Sequence, residues 1–446
     1  MAEKEDILSK LSNIIDPDLD QDIVTLGFIK ELKIDGGAVS FSIELTTPAC
    51  PVKEEFKKQA DSLVRELSWV KEVDITMTAQ VGATRSNENM KAMSGIKNII
   101  GVYSCKGGVG KSTVAVNLAY TLAKSGAKVG IFDADVYGPS LPSMVSVEDT
   151  DIYQQNNLLV PLEYEGVKLM SFGFVNTESE AAIMRGPMVS QVIGQLLGGV
   201  AWGELDYLII DFPPGTGDIQ LTLLQTVQLS AAIMVTTPQN LSFVDVVKGI
   251  QMFDKLKVPI IGCVENMSYY NCGNCDTKHK LFGSGAKRRL QEMYGFRNSF
   301  EIPVIESLST MGDTGVPSVI AEPAGLVSKI YSDITSSVVR EVSRLKYGKV
   351  EAPKIKFVKE KGIVVSTEKG EYCLSPKLVR GECCCAACIH EFTGEQILDK
   401  VKVPDSIAPS NIAPMGNYAV SIQWNDGHTS SVYPYESLLE MAGVVK

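Results

Sequence analysis

Nine consecutive residues, Cys105-Lys106-Gly107-Gly108-Val109-Gly110-Lys111-Ser112-Thr113, combine glycines, lysines and hydroxyls in the order that phosphate binding asks for. Glycines let backbone N–H groups turn toward phosphate oxygens, Lys111 reaches the β and γ oxygens, and the Ser112 hydroxyl suits Mg²⁺. The first glycine of the usual G-x-x-x-x-G-K-[ST] pattern is replaced by Cys105, and an additional lysine, Lys106, follows it. An ordinary glycine-rich turn is the plainer reading, but an apolar strand before the loop and an apolar helix after it favour the phosphate loop. Two further apolar runs end in carboxylates, Val129 to Asp135 and Tyr207 to Asp211. Asp211 is placed to hold the Mg²⁺ shell through water, Asp133 to support it, and Asp135 to orient or deprotonate an attacking water. Phe212-Pro213-Pro214-Gly215-Thr216-Gly217-Asp218 follows with a stiff Pro-Pro and permissive glycines, the make-up of a segment that senses a γ-phosphate and moves.

The cysteines fall in tight groups rather than as a disulfide framework, which points to thiolate or metal chemistry in a reducing compartment. Cys272-Gly273-Asn274-Cys275 can place two thiolates on one metal or cluster edge, or serve as a redox pair. Cys383-Cys384-Cys385-Ala386-Ala387-Cys388 contains C-x-C-x-x-C, and Trp424-Asn425-Asp426-Gly427-His428 follows later. Cys383, Cys385, Cys388 and His428 make a closed tetrahedral zinc site, with Cys384 and His390 as competing ligands and a cluster as the competing occupant. Cys263 and Cys373 read as buried, and His279, in a charged loop, as solvated.

Those residues need elements to hold them. At 446 residues the chain is long enough for about three domains of roughly 150 residues. Residues 1–82 read as a small α+β domain, with strands at Phe28 to Ile34, Val39 to Leu45 and Val73 to Thr78 and a helix through Phe56 to Leu67. Gly82 to Asn98 reads as a linker. Residues 98–347 alternate short apolar strands with helices, the pattern of a parallel sheet with crossover helices. Residues 354–446 read as a third, mostly β domain. Hydrophobic residues make up 45% and charged residues 21%, as in folded soluble proteins. The net charge of −11 argues against nonspecific nucleic-acid or anionic-membrane binding. No run reaches the roughly 18 apolar residues of a membrane span, and neither a signal nor a transit peptide opens this chain.

Lys106 to Ser112 resembles the deviant phosphate loop of the MinD/ParA/nitrogenase-iron-protein class, and the resemblance implies that Lys106 crosses a dimer interface to the partner's nucleotide. Asp133-Ala134-Asp135-Val136-Tyr137-Gly138-Pro139-Ser140, Met184-Arg185-Gly186-Pro187 and Asp211 to Asp218 narrow it to the Mrp/ApbC branch of iron-sulfur carriers. By the same resemblance Asn266, in Val264-Glu265-Asn266-Met267, reads adenine, so ATP is the expected nucleotide. Cys272 and Cys275 of two subunits would then grip one [4Fe-4S] cluster in a homodimer. Asp16 to Gly27 and Thr46-Thr47-Pro48-Ala49-Cys50-Pro51 resemble the PaaD-like iron-sulfur assembly domain. Cys50, ahead of a helix whose dipole would lower its pKa, is either a transfer thiol or a core cysteine. C-x-C-x-x-C with W-x-D-G-H resembles the N-terminal domain of γ-butyrobetaine hydroxylase-like proteins, which implies structural Zn²⁺.

This order of three domains resembles a plastid family of [4Fe-4S] scaffold ATPases, which implies ATP hydrolysis coupled to cluster transfer. Upstream cluster donors and acceptor apoproteins are the implied partners, and the chloroplast stroma the implied compartment, with the cytoplasm as the alternative. Two rival classes share such a nucleotide site: a MinD/ParA-like positioning ATPase without a cluster, and an ATP-coupled iron-sulfur reductase. The chain lacks the terminal amphipathic basic helix of a membrane-sensing positioning ATPase.

Overall fold

The computed structural model describes residues 2–19, 21–79, 92–175, 186–275, 277–296, 298–347, 352–367, 370–385, 387–389, 395–415 and 418–444. Asn87-Glu88-Asn89 of the expected linker, Met184 and Arg185, and His390 lie outside them. The chain is an α/β protein, and packing groups it into two compact units: Met1–Ala232 with Ile305–Lys349, and Ile233–Val304 with Val350–Lys446.

In the first unit, five strands run in the order Leu162–Tyr164, Val167–Ser171, Val129–Asp133, Leu205–Asp211, Ile96–Tyr103. All neighbours are parallel except the antiparallel edge pair Leu162–Tyr164 and Val167–Ser171. Every residue of Val129–Asp133 and Leu205–Asp211 is buried, as expected of parallel strands covered on both faces. Ile96–Tyr103 begins inside the stretch expected as linker. The parallel register sets Asp211 opposite Asp133 and Val102, so both carboxylates end their strands beside the loop that follows Tyr103. That placement follows from crossover connections, which bring parallel strands' C-terminal ends to one edge.

The N-terminal region adds strands Ile29–Asp35, Ala38–Leu45 and Glu72–Ala79, the first pair antiparallel and the second parallel. Helix Lys53–Arg65 buries Phe56, Ala60 and Val64 against them. This region does not stand apart, because polar groups tie it to the rest of the unit. The Tyr207 hydroxyl donates to Thr47 Oγ1 at 3.1 Å, the Thr46 and Ser343 hydroxyls lie 2.9 Å apart, and Arg344 Nε donates to the Asp18 carbonyl at 2.9 Å. Ser343 and Arg344 belong to the long helix Leu326–Tyr347, whose Tyr347 packs on the N-terminal core.

The second unit holds Ala231–Thr236, most of it, with the parallel pair Ile260–Asn266 and Ser299–Ile302. Its C-terminal part has two three-stranded antiparallel sheets, Lys354–Val358/Gly362–Thr367/Gly370–Leu374 and Pro409–Met415/Ala419–Trp424/Ser431–Pro434. Helices Pro376–Gly381 and Tyr435–Met441 add to these strands. The C-terminal part is anchored on the rest of its unit by aromatic packing: the Phe296 and Tyr418 rings lie 5.3 Å apart. Among the described residues no helix is long and apolar enough to cross a membrane.

Candidate nucleotide site and metal centres

Gly108 and Gly110 have φ of 77° and 82°, the left-handed region where a side chain is strained, and Gly110 opens helix Lys111–Lys124. The loop therefore ends on a helix N-terminus, where unpaired N–H groups and the helix dipole favour an anion. Lys111 is 7% exposed. Its ammonium hydrogen-bonds the Asp211 carboxylate and lies 3.2 Å from Ser112 Oγ, so lysine, hydroxyl and carboxylate converge as the sequence suggested. The Tyr103 hydroxyl donates to the Gly215 carbonyl, and Gly215 N donates to the Ser104 carbonyl at 3.3 Å, joining the loop to the Pro-Pro segment. Gln220 Nε2 holds the other side of that segment through the Pro214 carbonyl at 2.7 Å.

Asp133, expected to support the Mg²⁺ shell, accepts hydrogen bonds on both carboxylate oxygens. Its Oδ1 accepts from Asp135 N at 3.1 Å, and its Oδ2 from Ser140 N, Leu141 N and Ser171 Oγ at 3.0, 3.1 and 3.1 Å. Both oxygens thus help to pin the loop that carries Asp135. Sequence reading missed Ser171, which no spacing rule connects to Asp133. Asp135 is half-buried and accepts from Gly138 N at 3.2 Å.

Burial, and then the neighbouring Asp211 carboxylate, pushes the Asp133 carboxyl up from 3.8 to about 7. A carboxyl raised on folding adds stability while protonated, and that contribution is lost as pH rises from about 4 through about 7. Denaturant titrations at pH 5 and pH 8 are expected to show this loss in the wild type and a smaller one in Asp133→Asn. Equal pH dependence in the two proteins contradicts the assignment.

In the second unit, Asn266 is buried at the end of Ile260–Asn266, paired with Ile302. Its neighbour Glu265, also buried, takes Ser268 Oγ at 2.7 Å and Lys287 N at 2.7 Å, the latter in the first turn of helix Ala286–Tyr294. Glu265 thereby fixes the backbone on which Asn266 sits.

Cys272 and Cys275 flank the turn of a hairpin formed by Tyr270–Asn271 and Lys278–His279. Cys272 is half-buried and Cys275 exposed, and their sulfurs lie within 4.8 Å of each other and of a His279 ring nitrogen. Hydrogen bonds from Thr277, Cys272 and His279 hold the Cys275 thiol down at about 7.

The C-terminal quartet is the tightest cluster of ligands. Cys383, Cys385 and Cys388 Sγ lie 3.4, 3.3 and 3.7 Å from His428 Nε2. Tetrahedral bonds of about 2.3 Å to sulfur and about 2.0 Å to nitrogen imply ligand separations of about 3.6 Å, so the quartet fits one zinc ion. A cubane, with each ligand on its own iron, needs wider spacing. Cys384 stands outside the quartet, its Sγ 3.4 Å from the Glu382 carbonyl. A hydrogen bond from Cys383 holds the Cys385 thiol down at about 4, and the same shared proton, with burial, pushes Cys383 up. Arg380, 5% exposed, donates to Cys388 Sγ at 3.3 Å and to Asp426 at 2.9 Å. Three thiolates around a dication would leave a net negative charge, which this buried guanidinium would offset. Ser430 Oγ, 3.3 Å from Cys385 Sγ, completes the surroundings. Arg380 carries no signal in the sequence, because its helix comes before the cysteine motif and only folding turns it inward.

Cys373 departs from expectation, and Cys50, packed against the N-terminal core, departs only in its ionisation. Cys373 is exposed, on the edge strand Gly370–Leu374, whereas Cys263 is buried as expected. Burial pushes the Cys50 thiol up to about 11, with Asp16 and Asp18 adding to it, so desolvation outweighs the helix dipole that was expected to lower it. At pH 7.5 iodoacetamide is expected to label Cys275 well before Cys50, read by peptide mass spectrometry; equal rates contradict both environments.

The loop, the helix it opens and the strand-end carboxylates are those of a P-loop nucleotide hydrolase. The chain belongs to the NUBPL iron-transfer P-loop NTPases of the ParA group, whose profile matches residues 95–339. Profiles for an iron-sulfur cluster assembly protein and for the γ-butyrobetaine hydroxylase-like N-terminal domain match residues 4–75 and 358–439. The chain is 48% identical over 441 residues to the chloroplastic Fe-S cluster assembly factor HCF101 of Oryza sativa subsp. japonica, covering 98% of this chain and 82% of that protein. The HCF101 of Arabidopsis thaliana is also 48% identical, over 99% of this chain and 83% of its own length. An iron-sulfur cluster carrier protein of Synechocystis is 40% identical over 77% of this chain and 99% of its own.

Proposed function

We propose that this chain is an ATP-driven scaffold that assembles a [4Fe-4S] cluster between two copies of itself and transfers it to acceptor apoproteins. The observation that carries the reading is the exposed thiolate hairpin of Cys272 and Cys275 in a chain of the iron-transfer NTPase family. Two thiolates per copy complete a four-thiolate cluster only in a symmetric dimer. The names of the curated relatives support assembly and transfer over a positioning ATPase.

In this reading Gly107, Gly108, Val109, Gly110 and Thr113 wrap backbone donors around the phosphates, and Lys111 leaves Asp211 to meet the β and γ oxygens. Ser112, with Asp211 through water, would hold Mg²⁺, which would supply positive charge against the phosphates. Asp135, positioned by Asp133, orients the attacking water. Lys106 reaches the nucleotide of the second copy, and Asn266 reads adenine. Tyr103 carries the change at the phosphates to Gly215 and the Pro-Pro segment. Cys50 in its buried form is a core thiol, and a transfer role requires that the N-terminal region open. The C-terminal quartet holds structural zinc. The relatives' chloroplastic names favour a plastid, and the stroma within it.

Anaerobic reconstitution with iron and sulfide, followed by Mössbauer spectroscopy, tests the cluster. One [4Fe-4S] per dimer is expected in the wild type and none in Cys272→Ala/Cys275→Ala. A colourless monomer with every nucleotide rejects the reading. Delivery of the cluster to an apo-acceptor, against electron donation with the cluster retained, separates a carrier from a reductase.

A further inference from the structure

The hairpin that carries Cys272 and Cys275 brings a third metal-binding side chain to the same place. His279 pairs with Tyr270, and Asn271 with Lys278, in an antiparallel register that Cys272 N extends by donating to the Thr277 carbonyl at 3.1 Å. Cross-strand partners share a face, and residues two apart on a strand share a face. His279, opposite Tyr270, therefore falls on the face of Cys272, and the C-x-x-C turn returns Cys275 to it. The ligand atoms of Cys272, Cys275 and His279 all lie within 4.8 Å of one another. The Lys278 ammonium sits 4.4 Å from the centre of the Tyr269 ring, which braces the strand bearing His279.

A cluster shared by two copies takes two thiolates from each and leaves the imidazole without a part. A single tetrahedral ion uses all three. We propose that His279 joins Cys272 and Cys275 in a mononuclear divalent-metal site held by one copy of the chain, with its fourth position open. Two thiolates and an imidazole suit Zn²⁺ or Fe²⁺, and three protein ligands with an open position are the arrangement of a reactive rather than a closed structural site. An incoming sulfide or thiolate has that position to bind. The site shares its thiolates with the bridging cluster, so a copy holds one or the other. It does not depend on the cluster reading being right.

The test uses the reduced full-length chain without nucleotide, given one equivalent of Zn²⁺ to fill the closed C-terminal quartet and then titrated with Co²⁺. One further Co²⁺ per chain is expected, with the intense visible bands of tetrahedral thiolate coordination. His279→Ala is expected to weaken Co²⁺ binding by on the order of tenfold or more and to change the band pattern. Cys272→Ala/Cys275→Ala is expected to abolish it. Unchanged affinity and spectrum in His279→Ala overturn the proposal, as does one Co²⁺ per two chains. Iron-sulfide reconstitution of His279→Ala separates the two readings. A bridging cluster that still forms beside weakened Co²⁺ binding is the expected result, whereas a wild-type chain that binds Co²⁺ but forms no cluster removes the scaffold reading and leaves this site standing.

Discussion

Cys385→Ser is expected to release zinc from the C-terminal quartet and to destabilise the core around it by more than about 4 kcal/mol, the scale of losses that follow removal of a structural metal. Cys383, Cys385 and Cys388 are themselves part of that core, packed with Val379, Trp424, Tyr433 and Leu438. Two three-stranded sheets and two short helices form a small region, in which a metal commonly supplies stability that apolar burial alone does not. Cys384→Ser serves as the control, since that thiol stands outside the quartet. Elemental analysis after dialysis against a chelator is expected to find one zinc per chain in the wild type and in Cys384→Ser, and none in Cys385→Ser. Chemical denaturation should show the early loss of the C-terminal region only in the last. Arg380→Met is expected to weaken zinc binding on the order of tenfold or more, because the thiolate charge it offsets is then left uncompensated. Iron and sulfide in place of zinc in the wild type would overturn the assignment.

The quartet was legible before folding because its spacing is local on one side and ends in a distinctive tight turn on the other, where Gly427 takes φ of 84°. The phosphate loop was legible for the same reason: strand, glycines and helix are contiguous. The Asp211 and Asp133 positions were legible too, since strand ends of a parallel sheet converge. What escaped was whatever depended on register or desolvation. Asp133 reads as a support for the metal shell, and its hydrogen bonds from Asp135, Ser140, Leu141 and Ser171 appear only in the folded chain. His279 is exposed, in keeping with a solvated loop, but only the hairpin register shows that it lies beside the thiolates. Cys50 reads both from the helix behind it and as a core cysteine, while its ionisation is governed by burial, which spacing does not show. The third domain's helices were short enough to be hidden among strands.

Lys111→Met is expected to lower ATP hydrolysis by about three orders of magnitude, the upper range for removing a donor aimed at developing charge. Stability enters the same experiment. Lys111 is the cation beside Asp211, and Asp133 lies across from Asp211 in the strand register, so its removal leaves two buried carboxylates facing each other. Breaking a buried ion pair from one side costs about 3–5 kcal/mol. A fall in rate could therefore come from unfolding alone, and Lys111→Met/Asp211→Asn distinguishes the causes. Neutralising both partners is expected to restore most of the lost stability by chemical denaturation, while hydrolysis stays at the level of the single variant, because neither the phosphate oxygens nor Mg²⁺ regain a ligand. Lys106→Ala supplies the contrast. Lys106 is only half-buried, so its loss should leave the unfolding midpoint unchanged and remove nucleotide-dependent dimerisation, read by light scattering. Near-wild-type hydrolysis in the refolded double variant would show that Lys111 serves the buried carboxylates rather than the nucleotide, and the catalytic role given to the loop would fail with it.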